Sequence, residues 1–275
     1  VKHPVSTMAM VIFAGLSWLC ANPVLGAMQT QAPKVSYRLE HDRVSQGEPV
    51  LVDVDVSNTT QTPIDIDLGG DGVENISFMV LRPDGQRVMR QPVDGSNQIV
   101  FSGRVHLEPG QTFKEAVVLN EWTDFNGIGH YVVTLGLKSD SSSRVDLDLE
   151  VSGKNLRELE LRCSELSDRI TRGVSAQDSL AAAKALSYIR DPIVVPFWGK
   201  VLNRSDFGED AAAALARVGN SAAAMALVSH LEIKDPQTRG AVRRALGSIS
   251  HATNDQSLRR TIDDALRRSQ GLTSE

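Results

Sequence analysis

Ala185-Leu186-Ser187-Tyr188-Ile189, Ala214-Leu215-Ala216-Arg217-Val218 and Ala245-Leu246-Gly247-Ser248-Ile249 superpose without gaps and decide how the C-terminal half of this chain is read. The shared leucines Leu186, Leu215 and Leu246 are separated by steps of 29 and 31 residues. Three residues after each stands a branched aliphatic: Ile189, Val218 and Ile249. Sixteen residues after each stands another aliphatic: Leu202, Leu231 and Ile262. A period near 30 with apolar positions at helical spacing predicts stacked helical pairs within 174–249 and a helical domain over about 155–270. Asp191-Pro192, Gly219-Asn220 and Ser250-His251 follow the aligned aliphatics, where a helix is expected to stop and its partner to begin. The polar stretch 251–256 in the third unit is the chemistry of a terminal, wetted cap.

Upstream of the repeats, Leu156, Leu159, Cys163, Leu166 and Ile170 are spaced 3, 4, 3 and 4, one stripe of a helix over 154–172. Cys163 lies in that stripe and is expected to be a small core residue. Further back the period changes from helical to two. In 50–56, Val52, Val54 and Val56 alternate with Asp53 and Asp55, and 64–68 alternates Ile64, Ile66 and Leu68 with Asp65 and Asp67. Further strands are predicted at 76–81, 98–102, 113–119 and 130–137, punctuated by Pro83-Asp84-Gly85 and Pro109-Gly110. Six to eight short strands without helical stretches predict an antiparallel β-sandwich over 34–151, so the fold class is β plus α.

Both halves carry a resemblance. Gln46-Gly47-Glu48-Pro49-Val50 with the valines and Asn58, then Leu107-Glu108-Pro109-Gly110-Gln111, Gly129 and Tyr131, resemble immunoglobulin-like modules of bacterial secreted proteins. In such modules a corner tyrosine, here Tyr131, bonds back to the main chain. The resemblance implies binding or spacing rather than a reaction. The repeat block resembles HEAT-like repeats of the alanine-rich, phycobilin-lyase type, which act as scaffolds; an α-solenoid is the implied fold.

Composition bounds the function. The chain has 275 residues, 41% hydrophobic and 23% charged, as in a globular protein of ordinary composition. Net charge is −5, with 10 Lys and Arg against 19 Asp and Glu in 28–151 and 18 against 15 in 152–275. Neither half is basic enough to point to nucleic acid. Lys2 and His3, the apolar run Met8–Cys20, the break at Asn22-Pro23 and the small Gly26 and Ala27 have the order of a signal peptide, so 1–27 is read as one and the protein as exported. An uncleaved anchor is the alternative. The run is shorter than the roughly 20 residues that a spanning helix needs. Loss of Cys20 with the signal leaves Cys163 as the single thiol, so no internal disulfide is expected.

No catalytic constellation, cofactor loop or metal motif is found. The histidines have no ligand spacing, and Asp65, Asp67, Asp71 and Glu74 fail the calcium-loop template because Gly69 and Gly70 fall where oxygen is needed. Two features remain as candidate binding surfaces. One is Trp122 and Phe125 in the glycine-bearing segment 122–131, against the alternative that they close the core. The other is the arginine doublets Arg243-Arg244, Arg259-Arg260 and Arg267-Arg268, expected to form a basic terminal face, against the alternative of a solvated cap. The expected function is a non-enzymatic, protein-binding adaptor or scaffold of the bacterial envelope, without cofactor. The alternative is an inhibitor or regulator of a secreted enzyme, such as a protease, acting through the sandwich loops. Membrane contact would be confined to an uncleaved N-terminal segment or the basic C-terminal face.

Overall fold

In the computed structural model, residues 33–68, 75–89, 103–173 and 175–271 are described. The expected signal segment, the strand at 98–102 and the Asp71 and Glu74 end of the acidic run lie outside them. The first half is β: β1 (Lys34–Leu39), β2 (Arg43–Ser45), β3 (Leu51–Ser57), β4 (Ile64–Asp67), β5 (Ile76–Leu81), β6 (Arg87–Met89), β7 (Arg104–Leu107), β8 (Thr112–Val118), β9 (Gly129–Leu137) and β10 (Asp140–Ser152). The second half is helical: α1 (Leu156–Arg172), α2 (Ala176–Tyr188), α3 (Val195–Val201), α4 (Gly208–Val218), α5 (Ser221–Val228), α6 (Pro236–Ala252) and α7 (Gln256–Gly271). Single 3₁₀ turns stand at Leu119–Glu121 and Pro192–Val194.

Among the described residues the strands form sheets of order β1-β3-β8 and β2-β10-β9-β5-β6, with β4 and β7 paired separately. Side chains of both larger sheets meet in one core: Val52, Val54 and Val56 from β3 with Phe78, Val133, Leu135 and Leu149. The alternation read in β3 produces this, because every second residue of a strand points to the same face. Asn58, 1% exposed, closes the end of β3 by donating to the Thr62 and Leu107 carbonyls and accepting from Thr60. Nearly all ladders are antiparallel as expected, but β2 pairs parallel with the end of β10. The cause is topological: the chain leaves β1 in the first sheet and crosses directly to the edge of the second, where the Asp42 carbonyl accepts from Glu150 N–H. The hairpin entering β10 is irregular between Asp140 and Val145. There the Ser143 hydroxyl accepts from Leu137 N–H and donates to the Asp140 carbonyl.

Helix starts follow the side chains that satisfy unpaired N–H groups. Asn155 caps α1, Ser175 caps α2, Asn220 caps α5 and Asp235 caps α6. Gly219 ends α4 in the left-handed conformation at φ 64°, a place that costs glycine little. Every aligned aliphatic of the repeats points inward. Leu186, Leu215, Leu246, Leu202 and Ile262 are fully buried, Ile189, Ile249 and Leu231 nearly so, and Val218 is half-buried. The third break falls later than predicted: α6 runs on through Ser250 and His251 to Ala252, and Thr253 is its C-cap. Along α1, Leu159, Cys163, Leu166 and Ile170 are sealed from solvent, but Leu156, the first residue of the helix, is exposed.

The helices pack as α4 on α6, α3 on α5 and α5 on α7. By contrast, α2 packs chiefly on α1 and on β8. Leu51 and Val118, register partners on β3 and β8, are buried with the helical core rather than the β core, so the second face of that sheet is covered by helices at this end. Ala32–Glu275 accordingly form one compact unit. Among the described residues no helix is long and apolar enough to cross a membrane.

Candidate functional site

The most heavily built polar feature is the joint between the β half and α1. Arg162 lies on the flank of the apolar stripe of α1, its side chain 4% exposed, and reaches the turn after β1. Its Nη1 donates to Glu40 Oε1 at 3.0 Å and to Glu165 Oε2 at 2.7 Å, with His41 Nε2 in contact at 3.1 Å. Arg169, two turns along the same face, donates to Glu40 at 2.7 Å and to Asp178 of α2 at 2.7 Å. Glu40 is therefore shared by two guanidinium groups. Burial alone would raise its carboxyl, but hydrogen bonds and charge from Arg162 and Arg169 hold it below the usual carboxylate value. The side chains of Glu40, His41 and Glu165 are close enough to one another to hold a metal ion. The Arg162 guanidinium already sits among them as their cation, so the set is explained without a metal.

Further pins close the same joint. Ser45 Oγ accepts from Asn155 N–H at 2.7 Å, fixing the short link from β10 to α1. Lys154 pairs with Asp191 across the foot of α1, and Lys184 of α2 pairs with Glu121 of the β half. Burial would raise the Asp191 carboxyl, yet the Lys154 ammonium and the Ile193 N–H hold it low. Between these pins runs a cleft of ≈ 530 Å³ bordered by Gln46, Phe125, Asn126, Lys154, Tyr188 and Arg190.

The segment 122–131 borders this cleft but is used mostly inward. Phe125 is 4% exposed and stacks at a tilt on Tyr131, 5.3 Å between ring centres, so its ring gives a partner no surface. Trp122 is half-buried, edge-on to Phe78 at 4.8 Å, and packs on the β core. The Tyr131 hydroxyl accepts from Gly127 N–H and donates to Gly127 C=O, both at 2.9 Å, which pins the loop from within. Ile128, 63% exposed, is its outward apolar residue.

The arginine doublets do not present a common face, because neighbours on a helix point about 100° apart. Arg243 donates to the Ser269 carbonyl near the end of α7, and Arg259 to the Ser250 and Thr253 carbonyls at the end of α6. These two satisfy carbonyls left open at helix ends. Arg244 leans toward Glu209, Arg267 pairs with Asp264, and Arg260 is exposed.

The joint residues Glu40, Arg162, Arg169 and Asp178 escape sequence reasoning. A faint signal exists: Arg162 and Arg169 stand seven apart, flanking an apolar stripe, where a charge that meets another element belongs. Cys163 is sealed in that stripe. Burial, with Asp191, Glu48 and Glu160 nearby, pushes its thiol up to about 12.

Residues 37–162, a little under half of the chain, match the family model described as flagellar collar protein C, N-terminal domain. The match thus takes in the β half and the first part of α1, up to Arg162 itself. No curated protein matches. Solved structures share only partial likeness. A β-glucosidase from Listeria innocua in complex with isofagomine has 13% identity and a TM-score of 0.29, covering 44% of this chain and 16% of that one. A β-glucosidase from Erythrobacter marinus has 15% identity and a TM-score of 0.28, covering 43% and 15%. Spo0M, the sporulation control protein from Bacillus subtilis, has 16% identity and a TM-score of 0.27, covering 52% and 56%. The chain spans about a sixth of the length of those glucosidases and just over half of Spo0M, and overlaps of this depth carry no weight for function.

Proposed function

We propose that this protein is a non-enzymatic structural or scaffold component of the flagellar apparatus in the bacterial cell envelope, exported and working through protein partners. The observation that carries the reading is the match of residues 37–162 to the N-terminal domain of flagellar collar protein C. The joint supports it mechanistically. A scaffold must hold two partner-facing parts at a constant angle, and the chain uses a half-buried, doubly shared carboxylate to tie its β half to α1, and through Arg169 to α2. In the finer form of this reading, the β half is an immunoglobulin-like sandwich and the helices are a short HEAT-like α-solenoid. Two larger sheets around one core favour the first, and aligned aliphatics buried at each station favour the second. Two weak contacts held on one chain gain affinity through effective concentration.

The test is localisation and fractionation. A tagged chain expressed from its native locus is expected to co-purify with detergent-extracted flagellar basal structures and to lose its N-terminal segment on export, read by N-terminal sequencing. A chain that stays soluble in the cytoplasm and is absent from those structures would end this reading.

A further inference from the structure

The packing of α2 has an effect at the other end of that helix. Because α2 is drawn against α1 and β8 while α4 packs on α6, a recess of ≈ 310 Å³ opens between the C-terminal ends of α2 and α4. Its apolar lining is Ile189, Ala214 and Val218, with Ile189 and Ala214 almost fully buried. Its polar lining includes Tyr188, Arg190 and Arg217. Tyr188 and Arg217 occupy the same station of successive repeats, two residues beyond the aligned leucines, which is why the fold sets them side by side. Burial raises the Tyr188 hydroxyl and the Arg217 charge opposes it, so the two groups feel one another.

The charge in this recess is unusual for the molecule. The chain carries −5 overall, and four other surface recesses each carry at least two carboxylates. This one has two guanidinium groups and no acid. Most arginines nearby are spoken for: Arg162, Arg169, Arg204 and Arg244 have carboxylate partners, and Arg239 and Arg243 hold carbonyls. Among the described residues Arg190 and Arg217 have neither, and both are exposed. A guanidinium is a planar fork that matches a carboxylate with two parallel hydrogen bonds. A volume of this size over an apolar floor suits one acidic side chain with its methylene stem.

We infer that this recess is a docking socket for a carboxylate of a partner polypeptide, held by Arg190, Arg217 and the Tyr188 hydroxyl with its aliphatic stem on Ile189 and Val218. Tyr188 and Arg190 also border the ≈ 530 Å³ cleft at the joint, so a segment anchored in the socket has a path onward toward the β half. The choice of a polypeptide as carrier of the carboxylate rests on the scaffold reading above. The oxyanion chemistry does not.

The test uses the full chain and a fluorescently labelled peptide of alternating Glu and Ala, with its Gln-for-Glu counterpart as control, read by anisotropy at low ionic strength. The Glu peptide is expected to bind at least about tenfold tighter than the Gln peptide, since hydrogen bonds to a charged partner are each strong enough for that factor. Arg217→Gln and Arg190→Gln should each weaken it about tenfold, and Tyr188→Phe less, while Arg172→Gln, an exposed arginine away from the recess, leaves it unchanged. Circular dichroism checks that each variant is folded. Equal binding of both peptides, or equal loss from Arg172→Gln, would overturn the socket. So would full competition by inorganic phosphate at the concentration at which the peptide itself competes, because it would mark a free-anion site. A chain that binds no acidic peptide yet co-purifies with flagellar structures rejects the socket and leaves the scaffold reading standing. A chain that binds the peptide but is absent from those structures does the reverse.

Discussion

Arg162 and Glu40, 122 positions apart in the chain, meet at 3.0 Å with the arginine side chain 4% exposed and the carboxylate 19% exposed. Removing Arg162 leaves Glu40, in a mostly dry place, with Arg169 as its remaining guanidinium partner, so the cost falls at the low end for such pairs. Arg162→Ala is expected to cost about 3 kcal/mol, since losing one member of a buried pair costs roughly 3–5 kcal/mol. Arg162→Met paired with Glu40→Gln should cost distinctly less, because no charge is left buried. Urea denaturation of the three chains decides this, and a single-site loss no larger than that of the double replacement would refute it.

The same carboxylate sets a pH dependence. Glu40 is held below its ordinary value of 4.5 when folded. A depressed acid contributes stability that is fully present above the unfolded value and is lost as pH falls through the folded one. The unfolding midpoint should therefore decline below pH 4.5, and Glu40→Gln should flatten that decline while lowering stability at pH 7. A pH profile unchanged by the substitution would show that the pair is not the source.

Gly208 begins α4 directly under Thr238 of α6. A Cβ at that position would lie 2.1 Å from Thr238 Oγ1 and 2.5 Å from Cγ2. Gly208→Ala gains helix propensity of up to about 1 kcal/mol, yet overpacking costs about 1–3 kcal/mol and should win. Thr238 is fully buried, and Thr238→Ala removes the hydroxyl and methyl that such a Cβ would meet and so makes room. In a double-mutant cycle, Gly208→Ala is expected to destabilise the chain alone and to be neutral or favourable beside Thr238→Ala. Additive effects would rule out the steric explanation.

Tyr131→Phe keeps the ring against Phe125 and strips the hydroxyl that serves both the N–H and the carbonyl of Gly127. A loss of about 1–2 kcal/mol is expected. Faster hydrogen exchange should be confined to 124–129. Exchange that rises uniformly over the sheets would show that the tyrosine supports the core and not the loop.

Cys163 should resist alkylation in the folded chain, since its thiol is sealed and pushed up to about 12 by burial. In a Cys20→Ser background at pH 8, labelling by iodoacetamide is expected only as fast as the protein opens, and rapidly in urea. Prompt labelling of the native chain would contradict the packing of α1.

How much of this was legible in the sequence depends on whether local spacing carries it. Val52, Val54 and Val56, and the aligned Leu186, Leu215 and Leu246, were readable because period two and period 30 are written into neighbouring residues, and all six are buried. β10, the longest strand, alternates Val145, Leu147, Leu149 and Val151 just as clearly and could have been named. The parallel pairing of β2 could not, because three residues at a sheet edge have no period. Nor could the joint: Glu40 and Arg162 are ordinary charged residues until the fold brings them together. The arginine doublets misled for a related reason. Adjacent letters look like a patch, whereas the helix turns Arg243 inward to a carbonyl and Arg244 outward.

The link between β10 and α1 is three residues long, Ser45 grips it through Asn155, and β2 lies parallel along the strand that leads into it. A tug on this chain from either end meets no slack at that point. Parallel strands pulled along their length slide past one another and must give up their bonds together, not one by one as in unzipping. The β half and α1 should therefore behave under tension as one stiff lever, with any yielding displaced to the peripheral helices.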